Sequence, residues 1–258
     1  IITVATTIIG ITNVKAQTYS GRIKPGDYIS GPYRVVHKKG TFKSYHNAQM
    51  IVRTSDGAFV YCVQPLVTVN EDSTYQVTTE DITSLLSVSQ ATWSEVSKIA
   101  YYGYQYSDAT HNHSADKWWA ATQMLIWQKI DPTVDSYFSQ TVGGERDDSI
   151  LRNEMNEIMD LVNNHTKKPV LNNMPTEMVI GQSITLTDTA GVLSNYELEN
   201  VKGLQVVKNG NSLTIKATEV GTSSFNLTKM GNRYGNAIEL YYATDSQNVM
   251  HRGNIDPI

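Results

Sequence analysis

The sequence predicts an α+β protein in which a β-hairpin and sheet layer carries a helical subdomain and is followed by a β-sandwich-like C-terminal part. Three observations lead to this class. Strand-like runs rich in β-branched and aromatic residues fill the stretch from Gly31 to Pro65. From Thr79 to Asp131, and again from Asp148 to Asn164, apolar residues recur at helical spacing. After Lys167-Lys168-Pro169 short β-rich runs return between turn residues up to Ile258.

The first residues stand outside this plan. Ile1 to Ile11 form an uncharged apolar run, and Val14-Lys15-Ala16 supplies the small residues expected before a signal-peptidase cut. Residues 1–16 therefore read as a truncated signal peptide of an exported chain, with an α+β part over 17–168 and a β-rich part over 169–258. The apolar run is too short to span a bilayer, so no membrane insertion of the domain is expected. A net charge of −4 gives no polyanion-binding signal, which argues against a nucleic-acid partner. One cysteine in 258 residues cannot form an internal disulfide, so stability must come from a hydrophobic core. No phosphate loop or nucleotide fingerprint calls for a cofactor.

In the first part, Tyr33 to His37, Gln49 to Arg53 and Ala58 to Val63 read as strands. Ser55-Asp56-Gly57 joins the last two as a hairpin, because Asp-Gly suits the positive φ angles of a tight turn. Pro65 removes a donor and ends the ladder, which puts Cys62 near a strand end. Thr79-Glu80-Asp81 opens a short helix with Ile82, Leu85 and Leu86 on one face. Thr92-x-x-Glu95 reads as a capping box for a second helix, which carries Trp93, Val96, Ile99 and Ala100 and breaks at Gly103. The cluster Tyr101 to Tyr106 around that break suits a core, or an aromatic wall around a reactive group.

The next helix runs from an N-cap at Ser114 to the Asp131-Pro132 stop. Trp119, Gln123, Trp127 and Ile130 share one stripe of it, with Ile126 beside them, so a glutamine occupies an apolar position. An unpaired buried amide costs about 1 to 3 kcal/mol. Gln123 therefore either finds partners between its two tryptophans or serves chemistry. His111-Asn112-His113, just upstream, reads as a solvated loop, since two histidines and Asp116 fall short of a zinc ligand set. A fourth helix, Asp148 to Asn164, places Leu151, Met155, Ile158 and Val162 in register.

In the last part Met178 to Ile180, Ser183 to Leu186, Leu204 to Val207, Ser212 to Ile215, Ser224 to Leu227 and Ala237 to Tyr242 read as strands, with Asn209-Gly210 as the clearest hairpin turn.

Cys62 is open to two readings: a small buried hydrophobe, or a nucleophile that cross-links to something other than sulfur. Tyr61-Cys62-Val63 and Thr122-Gln123-Met124-Leu125-Ile126-Trp127 together resemble the two signature motifs of the thioester domains of Gram-positive bacterial surface adhesins. The Tyr-Tyr-Gly-Tyr segment before the glutamine helix and the closing stretch Ser246 to Pro257 extend the resemblance. The family usually has Ala two residues after the glutamine, where this chain has Leu125. The resemblance implies that Cys62 and Gln123 are joined as an internal thioester, with Tyr61, Thr122, Trp119 and Trp127 around it. It also implies a secreted or wall-displayed location and a host surface or matrix protein as partner, captured through a lysine amine in a single turnover.

The chemistry needs a thiolate and a glutamine carbonyl in near-attack geometry and a surround that keeps water out. Gln64, two residues after Cys62, is expected to point outward beside the cysteine and not to react. The main rival is a cysteine hydrolase or transglutaminase-like enzyme, which needs a positioned histidine; His37, His46, His111 and His113 all read as loop or strand-end residues. A noncovalent binding module, with Gln123 a satisfied core amide, is the third reading.

Overall fold

The computed structural model describes residues 17–31, 33–108, 110–230 and 236–257. The signal-peptide reading of residues 1–16 lies outside them. In chain order the elements are β1 (Gln17–Thr18), β2 (Ile23–Tyr28), β3 (Arg34–Lys39), β4 (Phe42–Asn47), β5 (Gln49–Arg53), β6 (Phe59–Cys62), β7 (Gln76–Thr78), α1 (Ile82–Leu86), α2 (Gln90–Tyr102), α3 (Asp116–Ile130), β8 (Asp135–Ser139) and α4 (Arg152–Asn163). Then follow β9 (Ser183–Thr187), a 3-10 turn at Leu193–Asn195, β10 (Tyr196–Lys202), β11 (Leu204–Asn209), β12 (Ser212–Ala217), β13 (Ser224–Lys229), β14 (Glu239–Tyr242) and β15 (Val249–His251). The class is the α+β one that the sequence predicts.

A seven-stranded antiparallel sheet, ordered β1-β7-β14-β15-β6-β5-β2, holds Cys62 at the end of its β6 strand. The Asp56-Gly57 hairpin forms as the sequence predicts, Gly57 taking φ +72°, and it pairs Ile51 with Val60 and Val52 with Phe59. A second sheet, β4-β3-β8, stands beside the first. Between the sheets and the helices α2 and α4 lies α3, on which every side chain from Trp118 to Trp127 is buried. The single apolar stripe read from the sequence is too narrow: a helix packed on several sides buries all of them, including Ala120, Ala121 and Met124.

Helix starts differ from the sequence reading. The cap of α2 is Ser89, whose hydroxyl accepts from Thr92 N, so Thr92 lies inside the helix and the Thr92/Glu95 box is not its start. At α3 the cap position falls on Ala115 with no side-chain cap, and Asp116 in the first turn accepts from Ser30 N at 2.8 Å. That bond ties the first turn of α3 to the segment between β2 and β3, but it caps no N–H group of the helix.

Residues 183–229 build two small sheets, β11-β12-β9 and β10-β13, closed on Leu186, Leu193, Leu213 and Ile215. Met178 to Ile180 is not a strand, and Val179 and Ile180 are exposed. After this unit the chain returns: β14 and β15 enter the seven-stranded sheet, with Val249 opposite Cys62.

Candidate functional site

Backbone pairing around Cys62 explains where Gln123 goes. Val63 N donates to Asn248 O on the β15 side, and Tyr61 lies opposite Met250 there. Because successive residues of a strand turn their amides to opposite sides, the backbone groups of Cys62 face the β5 side. The ladder from β5 ends at Val60, so no strand meets them. The side chain of Gln123 does: its Oε1 accepts from Cys62 N at 2.7 Å and its Nε2 donates to Cys62 O at 2.9 Å. A glutamine amide offers a C=O acceptor and an N–H donor side by side, as a peptide unit does, with one N–H to spare, so it completes the ladder where β5 departs. The carbonyl carbon of Gln123 is thereby tethered twice to the residue that bears the only thiol, and both residues are buried.

The thiol itself donates to Gln64 O at 3.2 Å and accepts from Gln64 N at 3.4 Å. Burial pushes its pKa up to about 11, against the pull of the Trp127 indole and the Gln64 backbone, so it rests as a neutral thiol. Cys62, Gln64, Trp119 and Trp127 line a cavity of about 300 Å³ that opens between β2, β4 and the loop after Pro65. Among the described residues no Asp, Glu, Lys or Arg lines it. Gln64 does not simply point outward: its Oε1 accepts from Asn248 N at 2.7 Å and anchors the strand end to β15.

His37 and His46 also line this cavity, and the sequence reading placed them in loop-like or strand-end contexts. His37 is instead a buried residue within β3, and its ring meets Trp127 edge-on at 4.6 Å. Its Nδ1 bonds Ser136 Oγ at 2.8 Å and its Nε2 faces His46 Nε2 at 3.4 Å. His46 Nδ1 is 2.9 Å from the Asn47 carbonyl and must donate to it. Burial lowers the pKa of both rings, so both imidazoles are neutral; His46 Nε2 is then an acceptor, His37 Nε2 a donor, and His37 Nδ1 an acceptor from Ser136. Burial first, and then His46, lower the His37 pKa to about 3. The sequence signal for His37 was its place at the end of the apolar run Val35-Val36, which continues the strand through it.

The other residues named from sequence are not at the cavity. Tyr61 is buried and stacks on Trp119, with centroids 5.8 Å apart. Thr122 faces the end of α2, where its hydroxyl donates to Trp118 O and accepts from Tyr104 N. Gly103 permits this contact, since a Cβ there would collide with the Thr122 side chain. Tyr101, Tyr102 and Tyr106 pack on one another and on His113 and His165, Tyr104 packs on Phe59, and none of the four lines the cavity at the thiol, so they do not wall the reactive group. His113 is no loop residue in solvent: it is fully buried, stacks on Trp118 at 3.6 Å and contacts Tyr102 O at 2.6 Å. Among the described residues no group of three or more His, Cys, Asp or Glu is placed to hold a metal. No helix among them is long and apolar enough to cross a membrane.

Comparison with known proteins adds to this geometry. Residues 59–166, which contain both Cys62 and Gln123, match the family model described as "TED: Thioester domain". Among solved structures the chain is similar to the thioester domain of the Staphylococcus aureus TIE protein, with a TM-score of 0.58 and 17% identity over 92% of this chain and 94% of that one. No curated protein matches.

Proposed function

We propose, for a chain whose residues 59–166 match the thioester-domain family, that it is the covalent head of a bacterial surface adhesin, with Cys62 and Gln123 forming the thioester. The observation that carries this reading is the double hydrogen bond from the Gln123 amide to the Cys62 backbone. It ties the electrophilic carbon to the residue that bears the nucleophile and sets Cys62 N–H on Oε1. As the sulfur adds to the carbonyl carbon, charge grows on Oε1 and this N–H stabilises it, as a backbone donor does in an oxyanion hole. The C–N bond then breaks, the thiol proton leaves with the nitrogen as ammonia, and a C–S bond remains. In capture, a primary amine attacks the same carbon, the C–S electron pair returns to sulfur, and the proton lost by the amine restores the thiol. The product is an amide between Gln123 and the amine, so each molecule reacts once.

A lysine of a host protein is the proposed amine. Among the described residues no Asp, Glu, Lys or Arg lines the cavity at Cys62 to select an ionic ligand, and its volume of about 300 Å³ has room for a side chain. The part from residue 169 onward is proposed to shape and present the site, with β14 and β15 supporting β6 from the far end of the sequence. The hydrolase reading is less well supported, because a recycling cysteine needs an imidazole at its sulfur. The thiol instead bonds the Gln64 backbone, while His37 and His46 bond Ser136, each other and the Asn47 carbonyl. Intact mass tests the proposal: the purified protein weighs one ammonia less than its sequence, and methylamine adds covalently and exposes one alkylatable thiol. A full-mass protein with a thiol that alkylates without amine treatment overturns it.

A further inference from the structure

Two indole N–H groups on α3, those of Trp119 and Trp127, are buried without a hydrogen bond of standard geometry. The two residues stand one helical turn to either side of Gln123, and both line the cavity at Cys62. A buried donor with no acceptor is disfavoured, and packing alone gives no reason to place two of them at one site. The two differ in setting. Trp119 lies flat against Tyr61. Trp127 is held edge-on by His37, which Ser136 fixes in turn; it shares the cavity wall with Cys62, and its indole favours the thiolate against the opposing effect of burial.

We propose that the Trp127 indole N–H is the donor that receives the negative charge on Cys62 Sγ, and that His37 is a positioning residue that holds the indole toward sulfur. The inference rests on the thioester reading for its role in capture. When an amine attacks the Gln123 carbonyl carbon, the C–S bond breaks and its electron pair moves to sulfur in a cavity that no Lys or Arg lines. A donor waiting there lowers the barrier to departure. The same donor stabilises the thiolate that first attacks the amide, while Cys62 N–H serves the carbonyl oxygen at the other end of the reacting system. In the resting thiol form sulfur needs no such donor, which accounts for an N–H left unpaired.

The test removes the N–H and keeps an aromatic ring. In a Gln123→Ala background, where no thioester can form, the rate of Cys62 alkylation by iodoacetamide is followed against pH with and without the second change Trp127→Phe. The midpoint is expected to rise by about one pH unit when the indole is lost, the equivalent of a tenfold change in thiolate stability. An unmoved midpoint overturns the proposal, whether or not the parent protein carries a thioester. With Gln123 present, Trp127→Phe is expected to slow methylamine capture by about tenfold or more; capture within about twofold of the parent also overturns it. Should Trp127→Phe not fold, benzothienylalanine at position 127, which replaces the N–H by sulfur at nearly constant shape, answers the same two questions. Parent mass is measured alongside, so a missing thioester is distinguished from an idle indole.

Discussion

The side-chain amide of Gln123 bonds both backbone groups of Cys62, at 2.7 and 2.9 Å, in the place that a neighbouring strand would take. One arrangement therefore serves two ends. It satisfies a buried strand end, and it ties the Gln123 side-chain carbonyl to the residue that bears the thiol.

The stability order of two inactive variants follows from this. Cys62→Ala and Gln123→Ala are each expected to abolish amine capture. Cys62→Ala keeps the amide on the backbone of residue 62, whereas Gln123→Ala leaves a buried N–H and C=O unpaired. Gln123→Ala is expected to be less stable than Cys62→Ala by about 1 to 3 kcal/mol in urea unfolding. Gln64→Ala, which removes only the bond to Asn248 N, is expected to keep capture; its loss there would move the acyl partner to Gln64.

Val249 belongs to the β-rich tail, yet it is fully buried and lies opposite Cys62. Val249→Asp is expected to prevent ammonia loss, read by intact mass. Leu213→Ala, in the separate core of residues 183–229, is expected to cost about 2 to 5 kcal/mol locally and to leave ammonia loss in place. If both variants lose the thioester, the tail does not divide in this way.

Gly103→Ala places a methyl group against the Thr122 side chain and 2.9 Å from Ile99 O, at the contact between α2 and α3. Overpacking of this kind is expected to lower stability by about 1 to 3 kcal/mol and to slow ammonia loss by displacing α3. Thermal melting and a time course of intact mass read the two effects separately. A variant with unchanged melting shows that the helices have room to part.

Acid is expected to destabilise the protein through His37. Its folded pKa, about 3, lies below the unfolded value of 6.5, so its contribution is fully present above pH 6.5 and is lost as pH falls toward 3. Urea midpoints at steps from about pH 7 to about pH 4 should decline less steeply in His37→Gln than in the parent. Equal slopes would assign the acid sensitivity to other groups.

Local order was legible in the chain itself: the Asp56-Gly57 hairpin, the helices near their true places, and an α3 that carries one glutamine among apolar residues. Cys62 and Gln123 each stood out, as a lone cysteine and as an amide on an apolar stripe, but it was the resemblance to thioester domains that suggested pairing them. Tertiary structure decided the rest. Where β5 leaves β6, and hence which groups of Cys62 lie open to Gln123, depends on strand pairing between distant segments. The burial of His37 and its contact with Trp127 depend on β3 and β8 meeting α3, and the exclusion of Thr122 and the tyrosines from the cavity depends on which side of α3 meets α2. Periodicity reports that a face is buried; only packing determines what that face is buried against.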